Sequence, residues 1–168
     1  LAGAATGIGS MILLVKSDFS EFELDIMLGV SAGIMMSASF FSLLLPSIEK
    51  GSIYWASAGF VSGALFMFVA DRFVPHEHFV GGQEGYASRI TRFWLIILAI
   101  TIHNFPEGMS VGVAFAGENL QYAIPLAIGI GLQNIPEGLS VSFPLLKLGY
   151  DKKKSIIYGF ASGLVEPI

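Results

Sequence analysis

Apolar residues run almost unbroken through six stretches of the chain, at about 1–15, 24–48, 53–70, 93–116, 122–146 and 155 to the end. A helix needs ~20 such residues to cross a ~30 Å hydrocarbon core, so the pattern predicts six membrane-spanning helices, the first and last incomplete. Polar segments separate them: 16–23, 49–52, the long 71–92, 117–121 and 146–154. Only the third is long, and it is too polar and glycine-rich to form a domain of its own. The reading is an all-α polytopic membrane helix bundle, a single transmembrane domain over 1–168.

Composition agrees that lipid, not water, is the main solvent. Hydrophobic residues make up 54% of the chain and charged ones 13%, about half the charged share of a soluble domain. There is no cysteine, which excludes disulfides and thiolate metal sites. The net charge of -4, with no basic run on a soluble face, gives nucleic acid no place as a partner. The chain starts without an initiator Met or a positive leader, which argues against a signal peptide. It ends inside an apolar run and is read as a piece of a longer protein.

Charge also orients the bundle. Lys16, Arg72, Arg89, Arg92, Lys147, Lys152, Lys153 and Lys154 lie on one side of the alternating loops, and Lys50 alone on the other. Positively charged loops stay on the cytoplasmic side, so loops 71–92 and 146–154 are expected inside and the N-terminus outside. Five spans carry glycines four apart: Gly3 and Gly7, Gly29 and Gly33, Gly59 and Gly63, Gly108 and Gly112, Gly159 and Gly163. That spacing permits close helix approach.

Two of the most apolar stretches contain the same polar phrase, HNFPEG at 103–108 and QNIPEG at 133–138. The shared pattern N-x-P-E-G-x-S-V sits near the middle of consecutive, oppositely running spans, so the repeat is inverted across the membrane. Inverted repeats with interrupted helices at mid-depth are how many transporters build a binding site. Residues three and four apart share a helix face. Glu107 therefore meets His103 and Asn104, and Glu137 meets Gln133 and Asn134. Pro106 and Pro136 withhold an amide hydrogen and push aside a carbonyl, predicting a kink at each phrase. A third acid, Glu166, lies eleven residues beyond Ser155, roughly 16 Å along a helix, at a comparable depth.

Three acids at mid-bilayer cost roughly 7–10 kcal/mol if insertion costs add, and a divalent cation removes that difficulty. One imidazole, three carboxylates and amide oxygens suit Zn, Fe, Mn, Co or Cd better than Cu(I). Glutamates from two helices can bridge two ions. Met35 offers a soft sulfur or simply fills a gap, and His76 and His78 in the third loop can capture a metal loosely on the cytoplasmic side. A zincin would need His-Glu-x-x-His and a di-iron bundle Glu-x-x-His on two helices; neither pattern is present. An intramembrane metal-dependent enzyme or a divalent-cation channel is the competing reading, and the expectation is a transporter, not an enzyme.

HNFPEG at 103, QNIPEG at 133 and GLVEP at 163 together resemble the ZIP (Zrt-, Irt-like) family of divalent-metal transporters, in particular its bacterial members. The resemblance covers essentially the whole chain. It implies eight transmembrane helices, six of them visible here, outward termini, and a His-bearing cytoplasmic loop between helices three and four. It implies transport of divalent ions toward the cytoplasm across the bacterial inner membrane, by a homodimer, with Zn foremost and Cd, Fe and Mn as alternatives. It further implies a binuclear site at the midplane. One ion falls to His103, Glu107, Gln133 and Glu137, with Met35 beside them, and the second to Asn104, Glu107, Asn134, Glu137 and Glu166. Many members have His where Gln133 stands, which implies a less strongly ligated first ion here.

Overall fold

The computed structural model describes residues 2–74, 76–78, 82–84, 92–117 and 119–166. Each apolar stretch is helical. α1 is Ala2–Val15; α2 (Glu21–Ala38), a π-helical stretch (Ser39–Leu44) and α3 (Leu45–Lys50) run on as one rod; α4 is Ile53–Phe73. α5 is Arg92–Ala116, α6 is Leu120–Lys147, and α7 (Lys152–Ser162) passes into a 3-10 turn at Gly163–Val165. The one departure from all-α structure among the described residues is a short hairpin in the third loop. There β1 (His76–His78) pairs antiparallel with β2 (Gly82–Glu84), His76 opposite Glu84.

Local chemistry sets the helix ends. Ser20 opens α2 with a reciprocal cap: its side chain accepts from the Glu23 N–H while the Glu23 carboxylate accepts from the Ser20 N–H, satisfying two donors that a helix start leaves orphaned. Asn119 caps α6 through the Gln121 N–H, and Asp151 caps α7 through the Lys154 N–H. Beyond α6 the chain turns at Gly149, whose φ of 91° lies in the left-handed region that glycine enters without a side-chain clash.

The helices run on through the prolines. α5 continues through Pro106, and α6 continues through Pro125, Pro136 and Pro144. A proline removes one rung of the ladder; the rest of the ladder of a 28-residue helix packed on several neighbours keeps it helical.

α6 is the central helix, with α1, α2, α5 and α7 packed on it. Leu13, Leu139 and Phe143 form one buried cluster, with Phe19 and Leu24 against it. Val141 and Leu145 form another, with Ile97, Ile100, Tyr150 and Tyr158. The α1–α2 connection is pinned to the end of α6 by Phe19 edge-on to Phe143, centroids 5.6 Å apart, and by a Lys147–Asp18 ion pair of 2.8 Å. α4 instead packs on α3 and turns Trp55, Phe60, Phe66 and Phe68 outward.

Among the described residues, three helices are long and apolar enough to cross a membrane: Glu21–Lys50, Ile53–Phe73 and Trp94–Ala116. The other three expected spans are helices that fall short of that measure for identifiable reasons. α1 has 14 residues and α7 has 11. α6 has the length, but it carries Gln133, Asn134 and Glu137, all buried among its neighbours. An interior helix need not be apolar where it faces protein.

Candidate metal centre

The two phrases are used in the same way, position for position. Each Asn reaches from its own helix to a flanking backbone: Asn104 Nδ2 donates to the Ser162 carbonyl at 3.0 Å, and Asn134 Nδ2 to the Ala2 carbonyl at 3.1 Å. Each Gly lies against a flanking backbone with no room for a side chain, Gly108 on the Glu166 carbonyl and Gly138 on the Thr6 carbonyl. Each Ser bonds back to its own Glu, Ser110 Oγ to the Glu107 carbonyl at 2.7 Å and Ser140 Oγ to the Glu137 carbonyl at 2.8 Å. The repeat thus clamps α5 against α7 and α6 against α1, and aims both glutamates into the space between.

In that space His103, Glu107 and Glu137 bring one ligand atom each to within 4.8 Å of one another. His103 Nε2 lies 2.9 Å from Glu137 Oε1 and 3.4 Å from Glu107 Oε1. The acids are under a tenth exposed, while the imidazole is 39% exposed and marks the open side of the cluster. Gln133 Nε2 donates to Glu107 Oε1 at 2.5 Å and to Asn134 Oδ1 at 3.1 Å. Asn134 Nδ2 also donates to Glu166 Oε1 at 2.6 Å, which joins the third acid to the other two.

Four buried oxygens of these residues have no hydrogen-bond partner: Asn104 Oδ1, Glu107 Oε2, Glu137 Oε2 and Glu166 Oε2. A buried polar atom without a partner costs ~1–3 kcal/mol, and more if charged. Bare carboxylate and amide oxygens and an imidazole are the donor types that a hard-to-borderline divalent cation takes.

Of the residues singled out in the sequence, His103, Glu107, Gln133, Asn134, Glu137 and Glu166 belong to one polar network, while Asn104 is tied to the Ser162 carbonyl and keeps its Oδ1 unpartnered. Met35 is half-buried on α2, one helical turn beyond Ser31 and on the same face. His76 and His78 fall on β1, and their side chains lie outside the described residues. Three participants escaped the sequence reading: the carbonyls of Ala2 and Ser162, and Ser31, whose hydroxyl meets Gln133. Backbone acceptors carry no sequence signal at all. Ser31 had only its place midway between Gly29 and Gly33 to recommend it.

Known proteins resemble the chain throughout. A family model described as ZIP Zinc transporter matches residues 76–168. Zinc transporter ZIPB of Bordetella bronchiseptica is 41% identical over 182 residues, covering 98% of this chain and 57% of the relative. Zinc transporter GufA of Myxococcus xanthus is 36% identical over 178 residues, covering 100% of this chain and 70% of the relative. Zinc transporter ZupT of Streptococcus mutans is 34% identical over 183 residues, covering 100% and 69%. The chain therefore spans little more than half the length of the first of these relatives and about 70% of the other two. With more than half of its residues matched by the family model and its whole length aligned to such relatives, the chain belongs to the ZIP zinc transporter family.

Proposed function

We propose that this chain conducts divalent metal ions across the bacterial inner membrane toward the cytoplasm, with zinc as the foremost substrate and cadmium, iron and manganese as alternatives. The single observation that carries the reading is the buried set of bare carboxylate oxygens beside His103. The relatives' names, all zinc transporters, point to the same cargo.

Two ions fit the donor inventory. The first is held by His103, Glu107 and Glu137, with Gln133 and Met35 at its side. The second is held by Asn104, Glu107, Glu137 and Glu166, with Asn134 beside them. Glu107 and Glu137 bridge, each having one oxygen toward His103 and one unpartnered. As they stand, Gln133 and Asn134 present nitrogen to the acids and so hold Glu107 and Glu166; their carbonyl oxygens reach an ion only by turning over. Carboxylates replace the hydration shell as the ion enters, and exchange of ion for protons on the same oxygens provides release.

The charge asymmetry of the loops supports an outward N-terminus with 71–92 and 146–154 inside. A homodimer is the expected assembly. It is supported by Gly29, Gly33, Gly59 and Gly63, where a Cβ would meet nothing within 4 Å among the described residues, so that these faces of α2 and α4 are open to close approach by another helix.

The test is uptake by proteoliposomes over a panel of divalent ions, with Glu107→Ala and Glu137→Ala beside the parent. Saturable zinc uptake that both variants abolish is expected. Uptake unchanged in both would refute the assignment, and flux that rises linearly with ion concentration would favour a channel.

A further inference from the structure

α2 reaches the polar network through Ser31, which is 4% exposed. Its hydroxyl lies 3.1 Å from the Gln133 carbonyl oxygen and 3.2 Å from Gln133 Oε1. The hydroxyl thus faces the oxygen end of the Gln133 amide. The end of Gln133 placed 2.5 Å from Glu107 Oε1 is the nitrogen. Its two hydrogens go to Glu107 and to Asn134 Oδ1. That leaves Oε1 turned away from the acids, on a fully buried residue, in need of a donor; among the described residues the Ser31 hydroxyl faces it, its one hydrogen shared between Oε1 and the Gln133 carbonyl.

Asn134 inherits the order. Its Oδ1 is taken by Gln133, so its nitrogen faces the other way, to Glu166 Oε1 at 2.6 Å and to the Ala2 carbonyl. A directed chain of hydrogen bonds thus runs from α2 through α6 to the far acid, and its first donor is Ser31.

We infer that Ser31 is a positioning residue for the metal centre: its hydroxyl fixes the Gln133 amide with nitrogen on Glu107 and, through it, the Asn134 amide with nitrogen on Glu166. Ser31 touches no ion. It determines how two of the three acids are held before a divalent ion arrives. The role rests on the metal site proposed above, whereas the hydrogen-bond chain itself is testable without metal.

The chain contains three glutamines, Gln83, Gln121 and Gln133, so side-chain amide signals of protein labelled with 15N-glutamine are few. Gln133→Ala identifies the one that matters. In metal-free protein in detergent, Ser31→Thr, which keeps the hydroxyl, is expected to leave the Gln133 amide signals in place, and Ser31→Ala to shift or double them. By equilibrium binding, zinc Kd rises about two- to tenfold in Ser31→Ala, the range that one net hydrogen bond supports. Ser31→Thr restores it, and Ser31→Ala adds nothing on a Gln133→Ala background.

Gln133 signals identical in the parent and Ser31→Ala would overturn the inference, as would a Ser31→Ala defect of the same size on the Gln133→Ala background, which marks a packing effect. A parent that binds no zinc would sink the metal site itself, and the role of Ser31 toward an ion with it.

Discussion

Gly138 stands where α6 crosses the backbone of α1, and a single methyl added there tests the packing that holds the acids in place. In Gly138→Ala the new Cβ falls on the Thr6 peptide, 2.7 Å from its carbonyl carbon and 3.0 Å from the Ser10 nitrogen. Unstrained contacts between such atoms are ~3.5–4.0 Å and the Thr6 carbonyl oxygen lies nearer still, so α1 has to withdraw by more than about 1 Å. The obstacle is main chain on both sides, which no rotamer change relieves. Two hydrogen bonds cross the same interface and lengthen with it: Ser10 Oγ to the Gly138 carbonyl at 3.0 Å, and Asn134 Nδ2 to the Ala2 carbonyl at 3.1 Å. Overpacking costs ~1–3 kcal/mol and each weakened hydrogen bond up to ~1 kcal/mol, giving a loss of about 2–4 kcal/mol. Gly112→Ala is the matched control, because it lies in the other phrase's helix and a Cβ there meets nothing within 4 Å. Replacing an unhindered helical glycine is neutral or gains ~0.5–1 kcal/mol. Thermal unfolding in detergent, followed by monodispersity after heating, reads the difference, and zinc Kd measured on the same samples reports the slackened Asn134–Glu166 contact. Equal stability of Gly138→Ala and Gly112→Ala would refute the claim that the repeated glycine exists for backbone approach.

Glu166→Gln removes one bare oxygen anion from the far end of the network but leaves His103, Glu107 and Glu137 intact; bound zinc is expected to fall from two ions to one by equilibrium dialysis, and two ions retained would exclude Glu166 as a ligand. At the end of α6, the hydrogen bond and charge of the Lys147 ammonium hold the Asp18 carboxyl below its ordinary value of 3.8. A depressed carboxylate contributes its small stabilisation above the unfolded value and loses it as pH falls through the folded one, and the full exposure of Asp18 keeps that contribution slight. Carboxyl 13C NMR should show Asp18 titrating at higher pH in Lys147→Ala than in the parent; coincident titrations would contradict the pairing.

The apolar pattern by itself determined where the helices are. The stretches read at 93–116 and 122–146 are helices at Arg92–Ala116 and Leu120–Lys147, because a segment in lipid must satisfy its backbone internally and has little choice but to be helical. The acid cluster was legible only in part: a spacing of four along one helix places His103 beside Glu107, at 3.4 Å, whereas Gln133 and Asn134 donate to Glu107 and Glu166 of other segments. Tertiary structure decided everything that depends on which helix arrives at a given face. Of the glycine pairs equal in sequence, Gly3 and Gly163 meet each other's backbone while Gly59 and Gly63 meet nothing. The phrase prolines withhold a hydrogen bond, and packing still carries both helices through them. The ends of the Gln133 and Asn134 amides that face the acids are set by Ser31 and the Ala2 carbonyl, more than a hundred residues away along the chain. Helix spacing is a local property of a backbone, whereas the partner of a buried polar atom is fixed only when distant segments close around it and leave it no water to turn to.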